Sequence, residues 1–245
     1  MRYMGSKYRL SKDILKFIEP YYNDKVNYYE PFVGGANMID KIPKNVFKNI
    51  IGNDFNKYLI ALLIQMRDKP ETLIYKFIEK EDWLNNYLKP FKENGEIIIN
   101  NKKIEDYNIG LLGVTKTYNS MFMHQYRGIL NNRNHQLESH NNIIKQCDKL
   151  NNITFIYGDY KDIIIENNSV VYCDPPYLNT TKYEVDIFHE EFYEWCRDLV
   201  NNKNCIVFVS EYNNLEKYGF KFIYEKQLKG KKSVEKLFIL KKDLK

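Results

Sequence analysis

The sequence predicts an α/β fold with a mostly parallel sheet, antiparallel strands toward the C-terminus, and a mainly helical segment inserted between two halves. Three observations predict it. Short apolar runs that close on a polar or acidic residue alternate with helix-spaced patterns in the first and last parts of the chain. Between residues 68 and 150 helical patterns and a polar tract replace that alternation. The last two apolar runs, around 220–228 and 234–240, are joined by a Lys/Gly turn, as an antiparallel pair would be.

Taken in order, residues 6–19 carry Leu10, Ile14, Phe17 and Ile18 at helix spacing. NYYEPFVGGAN (27–37) reads as a short strand entering a glycine turn, VFKNIIGNDFN (46–56) as a second strand closing on an acid, and 56–67 as a helix. Within the interruption, helices are expected at 70–90 and 106–122, a hairpin around Asn94-Gly95, and a polar tract at HQYRGILNNRNHQLESHNN. The earlier rhythm resumes with NITFIYGDY (152–160), SVVYCDPPY (169–177), a helix near 188–202 and NCIVFVSEYN (204–213). The arrangement is Rossmann-like, and in such sheets ligand chemistry sits at the carboxyl ends of the strands. The expected division is one domain in two pieces, 1–67 and 151–245, around an inserted subdomain, 68–150.

Composition narrows the classes. A chain of 245 residues, 44% hydrophobic and 28% charged, suits a globular protein with a sizeable core. Its formal net charge of +5 permits a polyanionic partner without requiring one. Cys147, Cys173, Cys196 and Cys205 form no C-x-x-C pair and have no close His cluster, so reduced thiols are expected, with no disulfide framework and no metal. MRYMGSKYRL is charged from the start and has no apolar core of a signal peptide. No apolar run approaches the roughly 20 residues that cross a bilayer. A soluble, cytoplasmic protein without a membrane partner is expected.

Glu30-Pro31-Phe32-Val33-Gly34-Gly35 sets an acid and then glycines at a strand end, where a ligand can approach the backbone closely. Asp54 closes the next strand, at the spacing from which an acid accepts hydrogen bonds from ribose hydroxyls. The glycines do not follow G-x-G-x-x-G, which disfavours a pyrophosphate, and Glu30 better suits a cationic or hydroxylated ligand. A glycine turn beside a solvated acid has the same composition, and the motif alone does not separate the two. Gly158-Asp159-Tyr160 closes a third strand; Asp159 could accept from an adenine amino group with Tyr160 beside the ring, and an ordinary turn reads the same way.

Asp174-Pro175-Pro176-Tyr177 is the most informative stretch. The exocyclic amine of adenine is a poor nucleophile because its lone pair is delocalised into the ring. Two acceptors bound to its two N–H groups draw the nitrogen toward tetrahedral geometry; the Asp174 carboxylate and the Pro175 carbonyl can be those acceptors. The prolines fix φ and hold the acceptors in place before reaction. Tyr177 offers a face for a base turned out of its stack. A methyl sulfonium is the electrophile that fits, since it needs neither metal nor covalent enzyme intermediate. Asp and Pro also favour plain turns; the buried strand before them and the glycine turn and Asp54 elsewhere in the chain weigh against that reading.

These motifs, in this order, resemble the Dam-type (D12 class) adenine-N6 DNA methyltransferases, over nearly the whole chain. The resemblance rests on Arg2-Tyr3-Met4-Gly5-Ser6-Lys7, Glu30 through Gly35, Asn53-Asp54-Phe55-Asn56, Gly158-Asp159-Tyr160 and Asp174 through Tyr177. It implies S-adenosylmethionine as cofactor, with Tyr3, Lys7, Asp54 and Asp174 at the cofactor or the reaction centre, joined by Glu30, Phe32, Gly34, Asp159 and Tyr160. Asp174, Pro175, Pro176 and Tyr177 would form the catalytic loop. It also implies a target-recognition domain between the two halves. Several family members carry Trp where this chain has Tyr3, and the R-Y-N-x-x-G-x-F-N pattern of GATC readers is not clearly reproduced, which leaves the target sequence open.

Duplex DNA is then the expected partner, and a cognate restriction endonuclease a second one that the sequence leaves open. Between Tyr118 and Arg127 aromatic, apolar and hydrogen-bonding residues interleave. Arg suits guanine and Asn suits adenine in the major groove, which nominates Asn119, Arg127, Arg133 and Asn134. Lys182, with Asn179, Thr180 and Thr181, would hold the backbone of the flipped nucleotide. Any polar surface loop has a similar composition, and Lys229-Gly230-Lys231-Lys232 reads as a solvated turn or a phosphate contact. Methylation of cytosine N4 or RNA, and a catalytically silent sequence-specific DNA-binding protein, are the alternatives.

Overall fold

A computed structural model describes residues 1–118, 121–177, 189–227 and 233–242. Its main elements are α1 (Ser11–Ile18), β1 (Tyr28–Glu30), β2 (Ile50–Asp54), α2 (Lys57–Asp68), α3 (Asp106–Thr115), α4 (His135–Cys147), β3 (Ile153–Tyr157), β4 (Val170–Cys173), α5 (His189–Lys203), β5 (Ile206–Glu211), β6 (Lys221–Gln227) and β7 (Val234–Leu240). The chain forms two compact units. One contains Met1–Ser11, Gly34–Lys41 and Asn56–Tyr157; the other contains Lys12–Val33, Ile42–Phe55 and Gly158–Lys245.

In the second unit six strands lie in the order β6-β7-β5-β4-β1-β2. The β2–β1, β1–β4 and β4–β5 pairs are parallel, and β5–β7 and β7–β6 are antiparallel, as the sequence led one to expect. All four residues of β4 are buried, the mark of a central parallel strand covered on both faces. Tyr28 stands beside both Ile50 and Val170, and Val170 beside Ile206. The parallel strands therefore run in step, and Glu30, Asp54, Asp174 and Glu211 emerge along one edge. A core of Val171, Cys173, Phe192, Cys196, Val207 and Phe238 holds this unit, each large side chain contributing about 1.5–3 kcal/mol by burial.

The first unit is mainly helical. Asn56 caps α2, its side-chain oxygen accepting from the Tyr58 and Leu59 amides, an interaction of about 1 kcal/mol. A Cβ on Gly110 would lie 2.2 Å from the Tyr58 carbonyl oxygen, so only glycine lets α3 press against α2 this closely. Ile78, Trp83, Tyr87, Ile97, Ile109 and Met123 form its core.

Two local expectations need correction here. Gly95 is not a hairpin turn: at φ +68 it is the left-handed cap of the helix Lys89–Asn94, and its N–H donates to the Phe91 carbonyl. The hairpin is the next one, Ile98–Ile99 with Lys102–Lys103, turning through Asn100 and Asn101 at positive φ. Asn shares glycine's tolerance of that region. The polar tract, for its part, contains the hairpin Ile129–Leu130 with Arg133–Asn134 and then the 13-residue helix α4. Asn134 caps that helix through the Leu137 amide. Its buried face is built partly from Gln136, Ser139 and His140, which an apolar periodicity does not detect.

Candidate active site

Asn53 organises the strand ends of the second unit. It is 1% exposed, and its amide donates to the Pro31 carbonyl at 3.1 Å and the Gly158 carbonyl at 2.9 Å. Val33 N–H donates to the Asn53 carbonyl at 2.7 Å, and Gly158 N–H to that of Asp54 at 3.2 Å. One side chain thus joins the segments that carry Glu30, Asp54 and Asp159. Asn53 Oδ1 is buried and has no hydrogen-bond partner among the described residues.

Glu30 is buried and accepts from the Tyr28 hydroxyl at 2.8 Å; burial, with Glu30 beside it, pushes the Tyr28 phenol well above its usual range. Phe32 packs against Tyr160 at 5.2 Å and Phe192 at 5.6 Å between ring centroids. Tyr160 is buried, and burial, with Asp159 next in effect, raises its phenol. Asp159 caps a short 3₁₀ turn through the Lys161 amide at 3.0 Å.

Asp174 follows β4 directly and is half-buried, as is Tyr177. The Tyr177 hydroxyl lies 2.9 Å from Asp174 Oδ1 and 2.8 Å from Glu235 Oε2. Its ring meets Tyr212 edge-on at 4.5 Å. Enclosure and the Asp174 and Glu235 carboxylates raise the Tyr177 phenol well above its usual range. Beneath the loop, the Tyr172 and Ser210 hydroxyls share a hydrogen bond of 2.8 Å.

In the first unit Tyr3 lies on the Gly34-Gly35 turn. Gly34 has φ +48, and a Cβ on Gly35 would come within 2.7 Å of Tyr3 Cβ and 2.9 Å of Asn37 Nδ2. The Gln146 amide of α4 holds this turn, lying 3.1 Å from each of the Gly35 and Ala36 carbonyls. Lys7 is buried and donates to the Gly5 carbonyl at 3.3 Å.

The nominated recognition residues are less uniform. Arg133 is exposed and forms a two-point ion pair with Glu138 at 2.9 and 3.0 Å. Asn134 donates to the Tyr75 hydroxyl at 2.9 Å besides capping α4. Arg127 is half-buried over the Tyr118 ring at 5.5 Å, and its Nε has no partner among the described residues. Asn119 and Lys182 lie outside the described residues.

Sequence reasoning gave no role to Asn53, Glu235, Tyr212 or Gln146. Asn53 sits inside a quoted motif and could have been asked what it bonds; the other three carry no local signal, and only topology brings Glu235 and Tyr212 to Tyr177 and Gln146 to the Gly35 turn. A hollow of about 320 Å³ lined by Tyr21, Asn23, Asn168, Val170 and Asn204 lies at the amino ends of the strands, the wrong edge for the motif residues. Among the described residues no helix is long and apolar enough to cross a membrane, and no cluster of His, Cys, Asp and Glu could hold a metal.

Distant likenesses among solved structures include a conserved hypothetical protein of Streptococcus pyogenes, with TM-score 0.42, 10% identity and 94% of each chain covered. An Escherichia coli protein titled as a candidate methyltransferase, yhhF, has TM-score 0.44 and 10% identity over 96% of this chain and 88% of that one. SMU.472, titled as a candidate methyltransferase complexed with SAH, has TM-score 0.45 and 11% identity over 100% of this chain and 55% of that one. No curated protein matches the chain in sequence. A family model matches residues 3–237, most of the chain, and the chain belongs to that family, the D12 class N6 adenine-specific DNA methyltransferases.

Proposed function

We propose that the protein transfers a methyl group from S-adenosylmethionine to N6 of an adenine flipped out of duplex DNA. The observation that carries this reading is the half-buried Asp174 carboxylate at the end of a central parallel strand, followed by two prolines and fixed by Tyr177. The acceptor-rich edge supports the cofactor. Its strand ends offer the carboxylates of Glu30, Asp54 and Asp159, which suit hydroxyl, amino and sulfonium groups better than phosphate. When bound, S-adenosylmethionine supplies an electrophilic methyl carbon.

Glu30, Phe32, Asp54, Asp159 and Tyr160 hold the cofactor from the strand ends, and Tyr3, Lys7 and Gly34 from the glycine-turn segment. Asp174 and the Pro175 carbonyl accept the two amine hydrogens of adenine and turn its lone pair toward the methyl donor. Pro175 and Pro176 keep those acceptors in place. Tyr177 supports the flipped ring. Arg127, Arg133 and Asn134, with Asn119 and Lys182, contact the DNA.

Methyl transfer to unmethylated DNA of all short sequence contexts, with products read as nucleosides and mapped per site, tests this. Wild type should yield N6-methyladenine, and Asp174→Ala should lose about 10²–10³-fold in kcat while binding DNA nearly normally, as when one preorganised transition-state group is removed. N4-methylcytosine as the product, or cofactor binding without transfer to any DNA, would overturn it.

A further inference from the structure

Glu235 has no place in the roles above, yet the fold delivers it to the catalytic loop. Because β7 runs antiparallel to β5, its first residues lie at the edge where the parallel strands end. Leu237 pairs with Ser210, and alternation puts Glu235, two residues earlier, on the same face of the sheet. Tyr172, bonded to Ser210, occupies that face too, and Asp174 is two residues beyond Tyr172. The face therefore gathers Asp174, Ser210 and Glu235, and the Tyr177 hydroxyl closes the gap between the two carboxylates at 2.9 and 2.8 Å.

A hydroxyl carries one proton and accepts through its lone pairs, so Tyr177 donates to one carboxylate at a time and can receive from the other. We infer that Asp174, Tyr177 and Glu235 form a proton exit from the adenine amine, with Glu235 acting through Tyr177 as a positioning and proton-accepting residue. The inference rests on the proposed reaction. When N6 forms its bond to the methyl carbon, the sulfur keeps the electron pair of the broken S–C bond, and N6 must then shed one proton. That proton passes to Asp174. Asp174 gives it to the Tyr177 oxygen as the Tyr177 proton moves to Glu235. Asp174 ends ionised, Tyr177 neutral and Glu235 protonated; Glu235 is partly exposed and releases its proton to water.

The test compares wild type, Glu235→Gln, Tyr177→Phe and the double variant in single-turnover methylation across a pH series, with KM for DNA and cofactor measured alongside. Gln keeps the shape and a hydrogen bond to Tyr177 but cannot take the proton. Glu235→Gln should slow methyl transfer by about 100-fold, the lower end of what a general base contributes, with both KM values unchanged and a shifted pH profile. The double variant should be no slower than Tyr177→Phe, because Glu235 acts through that hydroxyl. Without any substrate, Glu235→Gln should also lower the pH at which the Tyr177 phenol ionises, followed by ultraviolet difference titration with Tyr177→Phe subtracted. A wild-type rate and pH profile in Glu235→Gln, or additive losses in the double variant, would overturn the relay while leaving the proposed reaction intact. A wild type that methylates no adenine would overturn the reaction and the relay with it.

Discussion

Asn53→Ala removes the side chain that ties three strand ends together, and its cost follows from its contacts. Asn53 donates two hydrogen bonds to backbone carbonyls, at 3.1 and 2.9 Å, from a site that is 1% exposed. Each such bond is worth a net ~0.5–1.5 kcal/mol, and a carbonyl left buried without a donor adds ~1–3 kcal/mol. Against this, Asn53 Oδ1 already lacks a partner, so deleting it relieves a desolvation cost that the native protein carries. The balance is a destabilisation of about 2–4 kcal/mol, nearer the lower figure. Urea unfolding at constant m value measures it, and calorimetric titration with S-adenosylmethionine reads whether the strand-end acids have moved. Affinity should fall even under conditions where the variant is fully folded. Asn53→Asp is the sharper control: it keeps the volume but points a carboxylate at two carbonyl oxygens. Its folded-state pKa would be raised, so its stability would be present at low pH and lost as pH rises through that pKa. A loss below about 0.5 kcal/mol in Asn53→Ala, with cofactor affinity unchanged, would mean that the carbonyls find other donors and that Asn53 does not hold the edge.

Two further outcomes are expected. Among the described residues Arg133→Ala breaks an exposed pair with Glu138, so the melting temperature should stay near wild type, while sequence preference or the salt dependence of DNA binding changes; a variant unchanged in both would remove Arg133 from the interface. Burial, with Lys76 nearby, pushes Lys116 from 10.5 down to about 8, so between those values the unfolded chain binds the proton more strongly and stability should rise with pH; in Lys116→Met that rise should be missing from the pH-dependent melting curves, and its persistence would refute the assignment.

The sequence made the central parallel strands β1, β2, β4 and β5 legible because they are covered on both faces. A strand such as β4, buried at every residue, reads as an unbroken apolar run, and the residue that ends the run is the residue at the sheet edge. Position in the chain and position at the sheet edge then coincide, which is why Glu30, Asp54, Asp159 and Asp174 could be expected at strand ends. The tract around α4 was opaque for the converse reason. Its helix buries Gln136 and His140 by satisfying them: Gln136 bonds both backbone groups of Ile78, and His140 the Leu73 carbonyl. Polar burial of that kind depends on partners some 60 residues away, which no local periodicity contains. Glu235 combines both cases. It lies in a strand that was expected, yet nothing in Ser233-Val234-Glu235-Lys236 distinguishes it from a solvated β-strand acid. Its meaning comes from the reversal of direction at β7, because only an antiparallel strand presents its beginning where the parallel strands present their ends. An acid placed at the end of β7 would face the opposite edge, far from Asp174, so chain direction and not residue type decides which carboxylate can reach the Asp174 loop.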